Sequence, residues 1–248
     1  MELNRNERHS RTQMLLGDDA ISALADTRVA IFGIGGVGGY ALEALVRCGV
    51  GEIDVIDTDD VSASNLNRQI LATEDTVGKR KVDVAKERCK SIDSTVKINP
   101  IYSFYSPENA DEFDLTKYDY IIDAIDTLKS KCELIYRANE QNIPIISSMG
   151  TGGKLDPTAL EVADIYKTSV CPLARAVRTE IRKRCIKKLK VVYSKEEAEK
   201  RAIIDTHGGK TVHRVPGSAI FGPAAAGLIL AKEVVLDILK KKRNTEDT

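Results

Sequence analysis

The 248-residue sequence has no tryptophan and few other aromatics, four phenylalanines and eight tyrosines, so a surface for stacking exposed nucleobases is not evident in it. It has no internal repeat, no low-complexity tract and no glycine period, which excludes collagen-like and disordered classes. Cysteines are few and scattered. Cys48, Cys89, Cys132, Cys171 and Cys185 are odd in number and form no C-x-x-C pair. That argues for a reducing compartment, and no structural zinc is expected. Long apolar runs are also missing: the most extended, Ala219 to Ala231, falls well short of the ~20 residues a spanning helix needs. The first residues, MELNRNERHSR, lack the apolar stretch of a secretory signal. These absences predict a soluble cytoplasmic protein with no membrane association. Net charge is absent too, with 37 basic and 37 acidic side chains.

A regular alternation fills the first half. TRVAIFG, EIDVID, TVKINPI, YDYIIDAID and IPIISS read as apolar strands, and helical stretches lie between them at Val37–Cys48, Lys81–Ile92 and Ser130–Asn142. Val82, Ala85, Cys89 and Ile92 recur at spacings of three and four, one face of a helix. The pattern predicts a single α/β domain, a doubly wound, Rossmann-like, mostly parallel sheet with helices on both faces. Residues 1–26 form an N-terminal arm and helix, 27–150 the core, and 151–248 a C-terminal α/β extension. In that extension LEVADI and KKLKVVYS read as strands, Pro172 to Ile186 as a basic helix and Ser218 to Lys242 as a closing helix. Residues 195–217 are polar, contain Gly-Gly and Pro-Gly, and read as a long mobile loop.

Gly33-Ile-Gly35-Gly36-Val-Gly38 follows a strand and opens a helix, so the backbone can approach a phosphate at a helix N-terminus. Asp57, ending the next strand, is placed to accept from a ribose hydroxyl. This motif does not distinguish NAD from ATP. The residues after it do: Asn65-Leu-Asn-Arg68-Gln69 and Gly78-Lys-Arg-Lys81 supply arginine and lysine to hold the β and γ phosphates as a leaving group, which hydride transfer does not need. Asp126, just past a strand, sits where a carboxylate would hold Mg2+ against phosphates. Taken singly, Arg68 and Lys81 read as surface charges and Asp126 as a helix cap.

GIGGVG, the D-x-D-D run before SNLNRQ, VGKRK and AIDT together resemble the ubiquitin-activating-enzyme-like adenylyltransferases, which activate a carboxylate as an acyl adenylate. The resemblance implies that ATP lies on Gly33, Gly35, Gly36 and Gly38, with Asp57 on the ribose and Asp59, Asn65, Arg68 and Gln69 around it. It further implies that Lys81 binds phosphate and Asp126 holds Mg2+. RHSRTQMLLG is similar to the family's arm, so Arg11 would reach the triphosphate of a partner in a homodimer. The second half, SSMGTGGKLDPTALEVADIYKTSVCPLARAVRTEIRKR with FGPAAAGL, resembles the tRNA threonylcarbamoyladenosine dehydratase subgroup. Those enzymes activate a threonyl carboxylate on tRNA, and an internal nucleophile then closes a ring. The expected catalytic set is Arg11, Arg68, Lys81 and Asp126.

Charge supports an RNA partner. From Arg175 to Lys190 eight basic residues face one acid, Glu180, so this stretch carries +7 and the rest of the chain −7. Arg175, Arg178, Arg182, Lys183 and Lys187 are the expected tRNA contacts. A solvated helix face is the plainer reading of any charge run. Two alternatives remain open: an adenylyltransferase for a ubiquitin-like sulfur-carrier protein, with a carrier or sulfur-transfer partner, and a dinucleotide-dependent oxidoreductase or nucleotide sensor.

Overall fold

The structure is a computed structural model describing residues 5–199, 202–207 and 210–246. Its centre is a seven-stranded sheet built from β1 (Arg28–Phe32), β2 (Glu52–Asp57), β3 (Lys97–Tyr102), β4 (Tyr120–Asp123), β5 (Ile145–Ser148), β6 (Leu160–Asp164) and β7 (Lys190–Ser194). The spatial order is β3-β2-β1-β4-β5-β7-β6, all parallel except the edge strand β6. The expected doubly wound α/β sheet is therefore present. Successive residues of β1 explain the two-sided burial: Val29 and Ile31 enter one core, Ala30 and Phe32 the other.

On the first face pack α2 (Asp18–Ala25), α3 (Gly38–Cys48), α4 (Lys81–Ile92) and α7 (Phe221–Glu246). On the second pack α5 (Leu128–Glu140) and α6 (Pro172–Lys183). The closing helix α7 lies hard against α3. A Cβ on Gly227 would come 2.3 Å from the Val37 carbonyl oxygen, so only glycine permits this approach. The remaining helix, α1 (Arg5–Leu16), is pinned to the end of α4: Arg8 pairs with Asp93, and His9 Nε2 lies 3.3 Å from Asp93 Oδ2.

Two expectations need correction. Residues 195–217 are not simply a loop, because β8 (Ala202–His207) and β9 (Lys210–Pro216) pair there as an antiparallel hairpin separate from the main sheet. The basic helix also ends at Lys183, earlier than expected, and Cys185 follows in a left-handed conformation (φ 57°) that stops it.

Candidate functional site

The strand order reverses direction between β1 and β4, which leaves a crevice above their carboxyl ends, where open α/β sheets bind ligands. A cleft of about 600 Å³ opens there. Gly33, Gly35 and Gly36 form its floor, Asp57, Asp59, Asn65, Arg68, Gln69 and Lys81 one wall, and Asp126 the other. Gly38 is not on the wall. A Cβ there would fall 1.9 Å from the Gly33 carbonyl oxygen, so this glycine serves the tightness of the turn.

The floor is held from below. Ile34 N–H donates to Asp57 Oδ2 and Asp59 N–H to Asp57 Oδ1, both at 2.8 Å, so Asp57 fixes the glycine loop and still has lone pairs for a hydroxyl. Asn65 Oδ1 accepts from Ser62 N–H at 3.1 Å, which shapes the turn presenting Arg68. The Arg68 guanidinium donates only to Ser64 O and Asn67 Oδ1 and meets no carboxylate among the described residues. Lys81 is buried in the first turn of α4, its Nζ 2.7 Å from Asp59 Oδ2. A cation at a helix N-terminus sits against the positive end of the macrodipole and is held there by Asp59, and ammonium and dipole together favour an anion at this spot. Gln69 is also buried, and its Oε1 has no partner among the described residues. Such an atom calls for a ligand donor.

Asp126 is exposed in the loop between β4 and α5 and makes no ion pair among the described residues. This loop abuts the glycine floor: a Cβ on Gly33, whose φ is +85°, would lie 2.8 Å from the Ala124 carbonyl. Beneath it sits an ion pair that sequence reasoning missed. Lys131 and Asp123 are both fully buried, with Nζ 2.7 Å from Asp123 Oδ2 and 3.0 Å from the Ser148 carbonyl. Asp123 Oδ1 also accepts from Ile125 N–H. Complete burial pushes the Asp123 carboxyl up, and the ammonium beside it opposes the shift. The pair ties the ends of β4 and β5 to the loop carrying Asp126.

Arg11 is exposed on α1 and does not line this chain's cleft. Two of the buried cysteines are unsuited to nucleophilic attack, while Cys185 is exposed away from the cleft lining. Burial pushes the thiols of Cys89 and Cys132 up to about 12 and about 11, and Cys171 is a buried residue at the N-cap of α6.

The basic run is less concentrated than its sequence suggests. Lys183 pairs with Glu180, Arg184 with Glu133, and Lys190 with Asp237 and Glu233. Arg178 spends its guanidinium on the Ile165 and Thr168 carbonyls and the Thr168 hydroxyl. Arg175, Arg182, Lys187 and Lys188 remain exposed. Lys187 and Lys188 precede the amino end of β7, at the opposite edge of the sheet from the cleft.

The ThiF family model matches residues 8–246. The tRNA threonylcarbamoyladenosine dehydratase of Bacillus subtilis is 40% identical over 239 residues, 93% of this chain and 94% of the relative. The crystal structure of Escherichia coli tRNA N6-threonylcarbamoyladenosine dehydratase, TcdA, in complex with ATP superimposes with a TM-score of 0.88 at 31% identity, covering 98% of this chain and 99% of that one. An adenylyltransferase and sulfurtransferase MOCS3 of Arabidopsis thaliana is 41% identical over 127 residues, 50% of this chain and 27% of that protein.

Proposed function

Because the chain belongs to the ThiF family, we propose that it is an ATP-dependent enzyme that adenylates the carboxylate of threonylcarbamoyladenosine in tRNA and promotes its dehydrative cyclisation. The observation that carries this reading is the extent of the likeness to such dehydratases, which runs through the C-terminal extension as well as the nucleotide cleft.

The substrate carboxylate attacks the α-phosphate, a P–O bond to the carboxylate forms, and the bond to pyrophosphate breaks. A nucleophile within the same modified nucleoside then closes on the activated carbonyl and expels AMP, its proton passing to solvent. No enzyme cysteine is needed. Arg68 and Lys81 offset the charge gathering on pyrophosphate, Asp57 orients the ribose, and the glycine floor keeps the phosphates close to backbone N–H groups.

Asp126 suits Mg2+. Among the described residues no three His, Cys, Asp or Glu side chains are grouped to hold a metal by themselves. Mg2+ prefers one or two carboxylates together with substrate phosphates and water, and an exposed, unpaired Asp126 offers that. Bound there, the ion would supply charge neutralisation of the triphosphate.

The homodimer belongs to the same reading. Met14 and Leu15 beside Arg11 are 78% and 84% exposed, an apolar pair that a subunit interface would cover. A second reading, activation of a sulfur-carrier protein, draws on the MOCS3 likeness, which reaches only half of the chain.

The test is mass spectrometry of nucleosides from tRNA incubated with protein and ATP. Loss of one water from threonylcarbamoyladenosine is the expected result. If only a carrier protein becomes adenylated, the second reading replaces the first.

A further inference from the structure

Lys131 and Asp123 form a charge pair sealed from solvent, each 0% exposed, and neither lines the cleft. Burying two charges costs about as much as their attraction returns, and an apolar pair of similar volume is often equally stable or more so. Stability therefore does not account for the pair. Its bonds offer another account, because they run to two separate segments of the cleft lining.

The first segment is Ala124 to Thr127, which lines the cleft and carries Asp126. Asp123 holds it from the amino side: Oδ1 accepts from Ile125 N–H at 3.1 Å, while Oδ2 takes the Lys131 ammonium at 2.7 Å. Lys131 holds it from the carboxyl side as well, its own N–H donating to the Thr127 carbonyl at 3.0 Å in the first turn of α5. Asp126 lies between these two holds. It is exposed and makes no ion pair among the described residues, so its aim is set by the backbone.

The second segment leaves β5. The same ammonium donates to the carbonyl of Ser148, the last residue of that strand, at 3.0 Å, and the chain runs on to Thr151 in the cleft. A lysine suits this place, since several donors on a compact head can serve a carboxylate and a carbonyl at once.

Resting on the reading that Asp126 holds Mg2+ against ATP, we infer that Lys131 is a positioning residue for the cleft. Through Asp123 it fixes the backbone that aims Asp126, and through Ser148 it sets that backbone against the segment bearing Thr151. It touches neither nucleotide nor tRNA.

The test separates aim from stability. In the full chain, Asp123→Leu together with Lys131→Met replaces the pair by apolar groups and should melt close to the parent. Binding of a non-hydrolysable ATP analogue without Mg2+ rests on the glycine floor, Arg68 and Lys81, and should match the parent. The Mg2+ concentration that half-saturates the tightening of analogue binding, followed by calorimetry, should rise about tenfold, the lower end for outer partners of a metal ligand. The kcat for tRNA dehydration should fall by a similar factor, with KM for tRNA unchanged. Lys131→Arg keeps the charge and the carboxylate bond but turns a planar fork toward Ser148, so a rise of about threefold in the Mg2+ requirement is expected. A merely structural pair would leave the Mg2+ dependence parent-like in any variant that folds. That result overturns the inference, and Lys131→Arg alone can deliver it if the apolar double variant does not fold. Analogue binding by the parent that ignores Mg2+ would remove the metal role of Asp126 and the inference with it. A parent that answers to Mg2+ yet leaves tRNA unmodified ends the tRNA reading alone, because the shift in Mg2+ binding still decides the positioning role.

Discussion

Lys81 and Asp93 stand at opposite ends of α4, the first in the cleft and the second just past the last turn. Twelve helical residues at ~1.5 Å each separate them by about 18 Å. Arg8 and His9 are fastened to Asp93, so Arg11, three residues further along α1, starts from the wrong end of α4 to reach Lys81 of its own chain. The proposed role of Arg11 in a partner's site rests on this separation.

Mixing inactive Arg11→Ala with inactive Lys81→Ala subunits should therefore restore activity. Half of the dimers in an equal mixture are mixed, and one site in each recovers both residues, so about a quarter of the sites revive. The check is turnover after exchange verified by mass. No recovery despite complete exchange would place the arm in its own site.

Asp126→Ala should abolish turnover, by on the order of 100-fold or more, while melting within a degree or two of the parent. The side chain is exposed and makes no internal ion pair among the described residues, so the fold does not depend on it. Parent-like ATP-dependent dehydration by a folded Asp126→Ala protein would remove its metal role.

Lys131→Met leaves Asp123 charged and buried without its partner, which costs roughly 3–5 kcal/mol. A large fall in the urea midpoint is expected, and Lys131→Arg should recover most of it. Equal midpoints for Lys131→Met and the parent would show that the pair is not needed.

Asp93 yields a pH prediction. Burial works to raise its carboxyl, but the Thr95 hydroxyl and N–H, His9 and Arg8 outweigh it and hold the group at about 2. An unfolded aspartate titrates near ~3.9, so this contribution is complete above about pH 4 and is lost as pH falls toward 2. Urea midpoints of the parent should drop across that window more steeply than those of Asp93→Asn. Parallel curves would show that the anchor adds nothing.

Charge reversal on α6 has to spare Arg178, because its guanidinium closes the turn at Ile165 and Thr168. Arg175→Glu and Arg182→Glu on α6, with Lys187→Glu just beyond it, should together lower tRNA affinity and flatten its salt dependence, with ATP binding unchanged. An unaltered salt slope in a folded triple variant would make the basic run a solvated surface.

Much of this site was legible because its parts are local. The glycine turn, Asp57 at a strand end and the Asn65–Lys81 stretch lie within fifty residues, and their order alone places them at one sheet edge. The Lys131–Asp123 pair was not legible: a lysine near an aspartate looks like any surface pair, and only the packing of α5 on β4 and β5 buries it. The sequence reads as a basic helix from Pro172 to Ile186, with no sign that the helix stops at Lys183 or that the cations after it fall at the far edge. The hairpin did carry a signal. AIIDTH and KTVHRV are strand-like runs separated by the dipeptide Gly208-Gly209, a sequence pattern typical of hairpins, but the many polar residues obscured it.

Helix α7 closes the fold across the length of the chain. Its Leu230, Val234 and Ile238 enter the same core as Val29, Ile31 and Leu42, and Arg243 donates to the Leu16 carbonyl. A fragment ending before α7 would leave the outer side of α3 wet and the cleft without Pro223, so the glycine-turn half of the sheet is not a unit that folds apart from the C-terminal extension.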